Sequence, residues 1–209
     1  MPPDAAATRE KLLDAATRAF AEHGVANASL LEITKQAGQR NRGSLHYHFG
    51  SRDGILAAVL DRHVGFLAER EGELLREALD RPGLAPVVEA IVRPATELAE
   101  SGWRGRCCLL IVADLAEEDP RDLDAEVRAA LDRTGGPAVY DELANRLPAM
   151  PDDILNERFA LITEFIVRAV ADRARLLGRR RKSRPQLDRE VFVANLVAMV
   201  AAALGAPLT

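Results

Sequence analysis

The chain has few of the side chains from which catalytic and metal sites are built. Its 209 residues include only two cysteines and four histidines. Cys107 and Cys108 are adjacent, and a disulfide between sequence neighbours is strained and rare. His46 and His48 are two residues apart, so on a helix they point to different sides and make a poor metal pair. Because a nucleophile elbow, a phosphate loop and metal-ligand spacings are also missing, we predict no catalytic residue, no metal and no cofactor.

Targeting segments and long apolar segments are missing as well. Residues 1–7 contain no basic stretch followed by an apolar run, so no secretory signal is predicted. The most apolar run, 191–204, is shorter than the roughly 20 residues of a membrane span. Aromatic residues make up only 4 % of the chain, which argues against carbohydrate stacking and aromatic cages. These absences predict a cytoplasmic protein without a membrane partner.

Helical periodicity is what the sequence does contain. Hydrophobic residues make up 48 % of the chain, which is enough for a substantial core. From Thr8, a plausible N-cap, apolar residues recur at helical spacing up to Phe20, and Gly24 ends this helix. Ser29 and Ser51 are placed to cap two later helices. Strand alternation is absent, so we predict an all-α fold.

The most informative stretch is 37–49, which reads Ala-Gly-Gln-Arg-Asn-Arg-Gly-Ser-Leu-His-Tyr-His-Phe. A short helix ends at Gly38, a polar and basic turn follows, and a compact segment then mixes hydrogen-bonding with apolar side chains. A helix that packs on a small core and also touches DNA needs this mixture. The net charge is only −4, so the electrostatic support for DNA binding is local to this turn. We interpret the stretch as the turn and recognition helix of a helix-turn-helix.

The polar side chains around this turn suit direct reading of base edges. Asn41 and Gln39 can pair with adenine through two parallel hydrogen bonds, and Arg40 or Arg42 can pair with guanine in the same way. The turn is therefore the expected source of sequence specificity.

Other polar side chains nearby suit contacts to the DNA backbone, which position a protein without reading sequence. Ser44 can reach a phosphate or a base, and His46 and Tyr47 can donate hydrogen bonds to phosphates. Ser29 starts the preceding helix, where backbone amides point outward. We expect Leu45 and Phe49 to pack the core of the three-helix head.

The first sixty or so residues resemble the DNA-binding domain of the TetR family of bacterial transcriptional regulators. The matching residues are Leu12, Leu13, Ala15, Ala16, Phe20, Gly24, Leu31, Ile33, Ala37, Gly38, Gly43, Ser44, Leu45, His48, Phe49, Ser51, Arg52 and Leu56. The turn 39–42 is one residue longer than the usual family pattern and resembles a subgroup with an Ala-Gly-Gln-Arg-Asn turn. The family's phosphate-binding tyrosine corresponds to His46 or Tyr47, and Arg52 matches a family lysine that implies another phosphate contact.

The resemblance implies two domains: a helix-turn-helix DNA-binding head over 1–52, and a helical effector-binding and dimerisation domain over 53–209. It also implies a ligand-responsive repressor that binds a palindromic operator as a homodimer, with a small-molecule effector in the second domain. The pocket residues expected on the middle helices are Leu67, Leu74, Val88, Ile91, Trp103, Leu110, Val112, Tyr140, Leu161 and Phe165. An alternative is a helical protein-interaction module whose DNA head has lost its function.

The last two helices are the expected dimer interface. The apolar arc of 188–204 is broad, so this helix must be covered from more than one direction. We expect it to pair with 152–177 and with the same two helices of a second subunit, in a four-helix interface about a twofold axis. The candidate interface residues are Phe159, Ile162, Ile166, Val170, Phe192, Leu196 and Val200.

Overall fold

The computed structural model describes residues 3–39, 43–119, 121–133, 136–179 and 184–208, and within these ranges it contains ten α-helices and no strand. The helices are α1 (Pro3–His23), α2 (Leu30–Gln36), α3 (Gly43–Phe49), α4 (Arg52–Leu79), α5 (Ala85–Glu100), α6 (Trp103–Leu115), α7 (Ala125–Asp132), α8 (Gly136–Arg146), α9 (Asp152–Leu177) and α10 (Arg189–Leu204). The predicted all-α class is confirmed. Within the described ranges, no helix is both long enough and apolar enough to cross a bilayer.

Helices α1 to α3 form a small head around one apolar core. The buried side chains include Leu12, Phe20, Ile33 and Leu45, which come from all three helices. Gly24 ends α1 with φ of +83°, a left-handed conformation that suits glycine, as predicted. The prediction for the start of α1 was wrong, because the helix begins five residues before Thr8, at Pro3.

The two predicted serine caps are confirmed. Ser29 Oγ accepts a hydrogen bond from the backbone N–H of Glu32 (3.3 Å) at the start of α2. Ser51 Oγ accepts one from the backbone N–H of Gly54 (2.9 Å) at the start of α4. Because α4 begins directly after the recognition helix and has 28 residues, it leads from the head deep into the rest of the chain.

Helices α6 to α10 pack around α4 and α5. Helix α5 lies in the middle of this packing, where it contacts α4, α6, α8, α9 and α10. Helix α6 packs on α9 on one side and on α1 of the head on another. One continuous cluster of buried apolar side chains therefore runs from α1 to α10.

Candidate DNA-contacting surface and ligand cavity

Helix α3 presents one buried and one exposed side. Leu45 points into the head and is only 3 % exposed, whereas His46 and Tyr47 lie on the outer surface. Tyr47 is 82 % exposed, the highest value for any large apolar or aromatic side chain of the described residues. The predicted phosphate donors His46 and Tyr47 are therefore both accessible from outside the head.

A side-chain hydrogen bond joins Gln39 to the first turn of α3. Ser44 Oγ donates to the amide oxygen Oε1 of Gln39 at 3.1 Å, and both side chains are half-buried. This bond uses the amide oxygen of Gln39, and its amide nitrogen is the group that would donate to a base edge. Arg40, Asn41 and Arg42, the other predicted base contacts, lie outside the described residues.

Ser29 and Arg52 have structural duties in the head. Ser29 is exposed and, while its oxygen caps α2, its hydroxyl hydrogen remains a possible donor to a phosphate. Arg52 is different, because its guanidinium donates through Nη1 to the Val25 carbonyl and through Nη2 to the Ala28 carbonyl. Arg52 thus ties the start of α4 to the loop between α1 and α2. Two of its five N–H donors are thus used within the protein, and the expected phosphate contact at Arg52 stays a prediction.

The head is joined to the body mainly through α6, at both ends of that helix. Near the N-terminus of α6, Arg104 binds the Asp14 carboxylate of α1 through Nε (2.9 Å) and Nη2 (2.7 Å). Arg62 of α4 binds the same carboxylate at 2.7 Å. The hydrogen bond from Arg104 is the largest influence that lowers the pKa of Asp14 to about 2. This cluster holds α1, α4 and α6 together.

Near its other end, α6 holds the turn that follows α1. Asp114 Oδ2 accepts a hydrogen bond from the backbone N–H of Val25 at 2.7 Å. A carboxylate that accepts an amide N–H forms a charge-assisted bond, which is stronger than a neutral one. Any displacement of α6 along or across its axis must therefore strain the contacts to the head at both ends.

The body contains a cavity of about 660 Å³, open to the surface, between α4, α5, α6, α7, α8 and α9. This volume lies in the usual range for small-molecule sites. Five predicted pocket residues line it: Leu67, Ile91, Val112, Tyr140 and Leu161. The other lining side chains are largely apolar too, and Cys108 is among them.

The other five predicted pocket residues lie elsewhere, so that part of the prediction is corrected. Val88 and Leu74 are buried in the core beside α4 and α5. Trp103 lies between α1 and α6, with the Arg18 guanidinium 4.0 Å from its ring centre. Leu110 is half-buried and Phe165 is 38 % exposed, and neither lines the cavity. Helical spacing identified apolar stripes but not which side of each stripe borders a void.

The sequence reasoning missed the most unusual side chain of the cavity, Glu71 of α4. Glu71 is only 6 % exposed, and its Oε2 has no hydrogen-bond partner within the part of the chain that the structure describes. Burial raises the pKa of this carboxyl to about 8. A signal was present, since Glu71 falls between Leu67 and Leu74 at the four- and three-residue spacing of the buried stripe of α4.

A short hydrogen-bond chain also lines the cavity. Thr163 Oγ1 donates to the carbonyl oxygen of Phe159 at 2.6 Å, so the hydrogen bond between Thr163 and Tyr140 uses the phenol hydrogen of Tyr140. Burial, opposed by this hydrogen bond, raises the pKa of Tyr140, and the charge of Glu71 adds to the rise. Tyr140 lines the cavity, and its phenol oxygen keeps lone pairs that can accept a hydrogen bond.

Five of the seven predicted dimer residues are buried within a single chain. Ile162, Ile166, Val170, Leu196 and Val200 are each at most 4 % exposed and point into the core of their own subunit. Phe159 and Phe192 are half-buried and pack against that core. The exposed apolar side chains of α9 and α10 are instead Ile154, Leu161, Phe165, Val191 and Met199, between 36 % and 59 % exposed. The apolar arc of α10 is so broad that the sequence did not indicate which part faces inward.

Comparisons with known proteins cover both halves of the chain. A profile of bacterial regulatory proteins of the tetR family matches residues 12–59, and a profile of tetracyclin repressor-like C-terminal domains matches 89–203. The HTH-type transcriptional repressor BdcR of Escherichia coli strain K12 is 28 % identical over 157 residues, which are 75 % of this chain and 72 % of BdcR. Several other curated relatives match over only about a third to a half of their length.

Two solved structures share the fold of this chain. The fatty acid degradation regulator FadR from Bacillus halodurans has a TM-score of 0.58 at 16 % identity, with 95 % of each chain covered. AibR, solved in complex with isovaleryl coenzyme A and operator DNA, has a TM-score of 0.56 at 16 % identity and covers 93 % of this chain and 98 % of its own. At these identities the likeness concerns the fold and not the ligand.

Proposed function

The chain belongs to the TetR family of DNA-binding transcriptional regulators, and from that premise we propose that it is a ligand-responsive repressor that binds a palindromic operator as a homodimer. One observation carries the proposal: the same helix, α6, lines the cavity and holds the DNA-binding head. The proposal has three parts, namely the DNA contacts, the dimer and the response to a ligand.

For DNA binding, α3 enters the major groove with its exposed side toward the duplex. Tyr47 and His46 donate to phosphates, and Gln39 and Ser44 lie at the start of the helix, where base edges come within reach. Arg40, Asn41 and Arg42 remain the predicted base contacts of the turn. Of the two candidates for the family's phosphate-binding tyrosine, the exposure of Tyr47 favours Tyr47.

For dimerisation, the exposed apolar side chains of α9 and α10 supply the interface. Val191 and Met199 lie about two helical turns apart on α10 and are 52 % and 48 % exposed. A twofold axis would place each of them against the second subunit while the buried residues of α10 stay in their own core. Two heads then meet successive half-sites about 34–36 Å apart, or a multiple of that distance.

For the ligand response, occupancy of the cavity changes the position of α6. The ligand must bind the form with low DNA affinity better than the DNA-binding form, because equal affinity for both forms shifts nothing. Cys108, Val112 and Leu115 of α6 line the cavity, while Arg104 and Asp114 of the same helix bind the head. Repression follows if the operator-bound dimer excludes polymerase.

The test is selection of bound sites from a random pool of duplex DNA with the full chain. We expect two inverted half-sites at a fixed spacing, and an affinity that falls steeply as salt rises. Tyr47→Phe should weaken binding to all duplexes by about 1 kcal/mol, the value of one hydrogen bond, without changing the recovered motif or the stability of the protein. Recovery of no motif, together with no salt dependence, would favour the helical interaction module instead.

A further inference from the structure

The polar groups that face the cavity differ in kind from its apolar walls. Glu71 has a carboxylate oxygen that is fully enclosed and without a partner among the described residues. Such a group is costly, because a buried polar atom without a partner loses its hydration and gains nothing in return. A cavity-lining group of this kind needs an explanation, and a ligand atom that completes it is one.

The hydrogen-bond chemistry restricts what that ligand atom is. The phenol hydrogen of Tyr140 is used by Thr163, and the hydroxyl hydrogen of Thr163 is used by the Phe159 carbonyl. Tyr140 therefore offers the cavity an acceptor, and Glu71 becomes an acceptor with both oxygens once it has released its proton. Two acceptors on the wall call for a ligand group that is rich in donors.

The charges at the edge of the cavity point the same way. Glu118, Asp132 and Glu164 are exposed lining residues that carry negative charge, against one positive charge on Arg128. The guanidinium of Arg128 also donates to the Leu123 carbonyl at 2.9 Å. The field of these exposed groups attracts a cation and repels an anion.

From these observations we infer that the cavity takes an amphiphilic amine, a molecule with an apolar body and one protonated amino group that is received by Glu71 and Tyr140. The apolar body fills the space between α5, α6 and α9, and the ammonium gives Glu71 the donor and the counter-charge that it lacks. Since burial holds the pKa of Glu71 near 8, the free protein carries a proton there at pH 7, and the arriving cation displaces it. The inference rests on the proposed ligand response only for the consequence of binding.

The experiment is a fluorescence titration of the full chain with three probes that share one apolar group and one linker. Dansylcadaverine carries an ammonium, its N-acetyl derivative is neutral, and dansyl-ε-aminocaproate carries a carboxylate. We expect dansylcadaverine to bind about tenfold or more tightly than either of the others. Calorimetry at pH 7 in two buffers of different ionisation enthalpy should show release of close to one proton per ammonium bound.

Variants then assign the effect to Glu71. Glu71→Gln should weaken dansylcadaverine about tenfold or more, abolish the proton release and leave the neutral probe within about twofold. Glu69→Gln makes the same change at an exposed position of the same helix and should alter neither quantity. Tyr140→Phe should weaken the amine and keep the proton release, because Glu71 is still present.

Two results would overturn the inference: tighter binding of the carboxylate probe than of the ammonium, or an unchanged amine affinity in Glu71→Gln. An acyl-thioester or fatty-acid ligand would give the first of these. Operator binding is measured separately in the presence of each probe. If the amine binds without changing operator affinity, the proposed ligand response is wrong and the inference about the amine stands. If only the carboxylate binds and releases DNA, the ligand response stands and the inference about the amine is wrong.

Discussion

The buried carboxyl of Glu71 makes the stability of the protein depend on pH in a direction that can be worked out. Its pKa rises from an ordinary value of 4.5 to about 8 in the folded chain. Below pH 4.5 both the folded and the unfolded states hold the proton, so there is no contribution. As pH rises from 4.5 toward 8, the folded state keeps a proton that the unfolded state has lost, and stability falls.

The magnitude follows from the size of the shift. Each pH unit in that range is worth 1.36 kcal/mol, so by pH 7 the cost is about 3 kcal/mol. Glu71→Gln removes this titration while keeping the size of the side chain. We therefore expect the variant to gain about 3 kcal/mol over the parent between pH 4.5 and pH 7, or about 6–12 °C in Tm for a chain of this length.

The assay is urea unfolding of both proteins across this pH range at one fixed protein concentration, since the proposed dimer would make stability depend on concentration. Glu69→Gln, at an exposed site of α4, is the matched control and should shift stability equally at both pH values. If the difference between Glu71→Gln and the parent is the same at pH 4.5 and pH 7, the carboxyl is not protonated in the folded protein and the reasoning is wrong.

Three further predictions concern the head and the interface. Arg52→Ala should destabilise the protein by about 2–3 kcal/mol in urea unfolding, because two carbonyl groups lose a charged donor; a smaller salt slope of DNA binding without loss of stability would instead make Arg52 a phosphate contact. Asp14→Asn should cost about 2 kcal/mol at pH 7, and the cost should shrink as pH falls from about 4 toward 2, since the native pKa is depressed; a cost that does not vary with pH would contradict this. Met199→Glu should give monomers in sedimentation, whereas Val200→Ala should lower stability and leave the dimer intact; equal effects on assembly would place the interface elsewhere.

Local rules predicted the head well because its boundaries are set by neighbours in sequence. Ser29 and Ser51 cap helices through amides three residues away, and Gly24 ends α1 by its own backbone conformation. These are short-range effects of residue type. The start of α1 was missed because proline suits the first position of a helix and no residue between Pro3 and Thr8 interrupts one.

Long-range contacts could not be predicted from the sequence, because they form only when distant segments pack together. The structural role of Arg52 depends on hydrogen bonds to carbonyl groups 24 and 27 residues away, which reach its guanidinium only in the packed head. The inward side of α10 depends on how α5 and α9 cover it, and its composition is apolar almost all round. Burial of Glu71 depends likewise on neighbours from other helices, although its place in the apolar stripe of α4 was visible.

The position of α6 connects the two sites in energetic terms. To shift a protein from 1:99 to 99:1 between two forms, a ligand must favour one of them by about 5.5 kcal/mol. The head is held to α6 by the charged cluster at Asp14 and by the bond from Val25 to Asp114. Charged hydrogen bonds of this kind are worth about 1.5–3 kcal/mol each, so breaking a few of them has the size that such a shift requires. A ligand that moves α6 by less than the reach of these bonds would fill the cavity without changing the affinity for DNA.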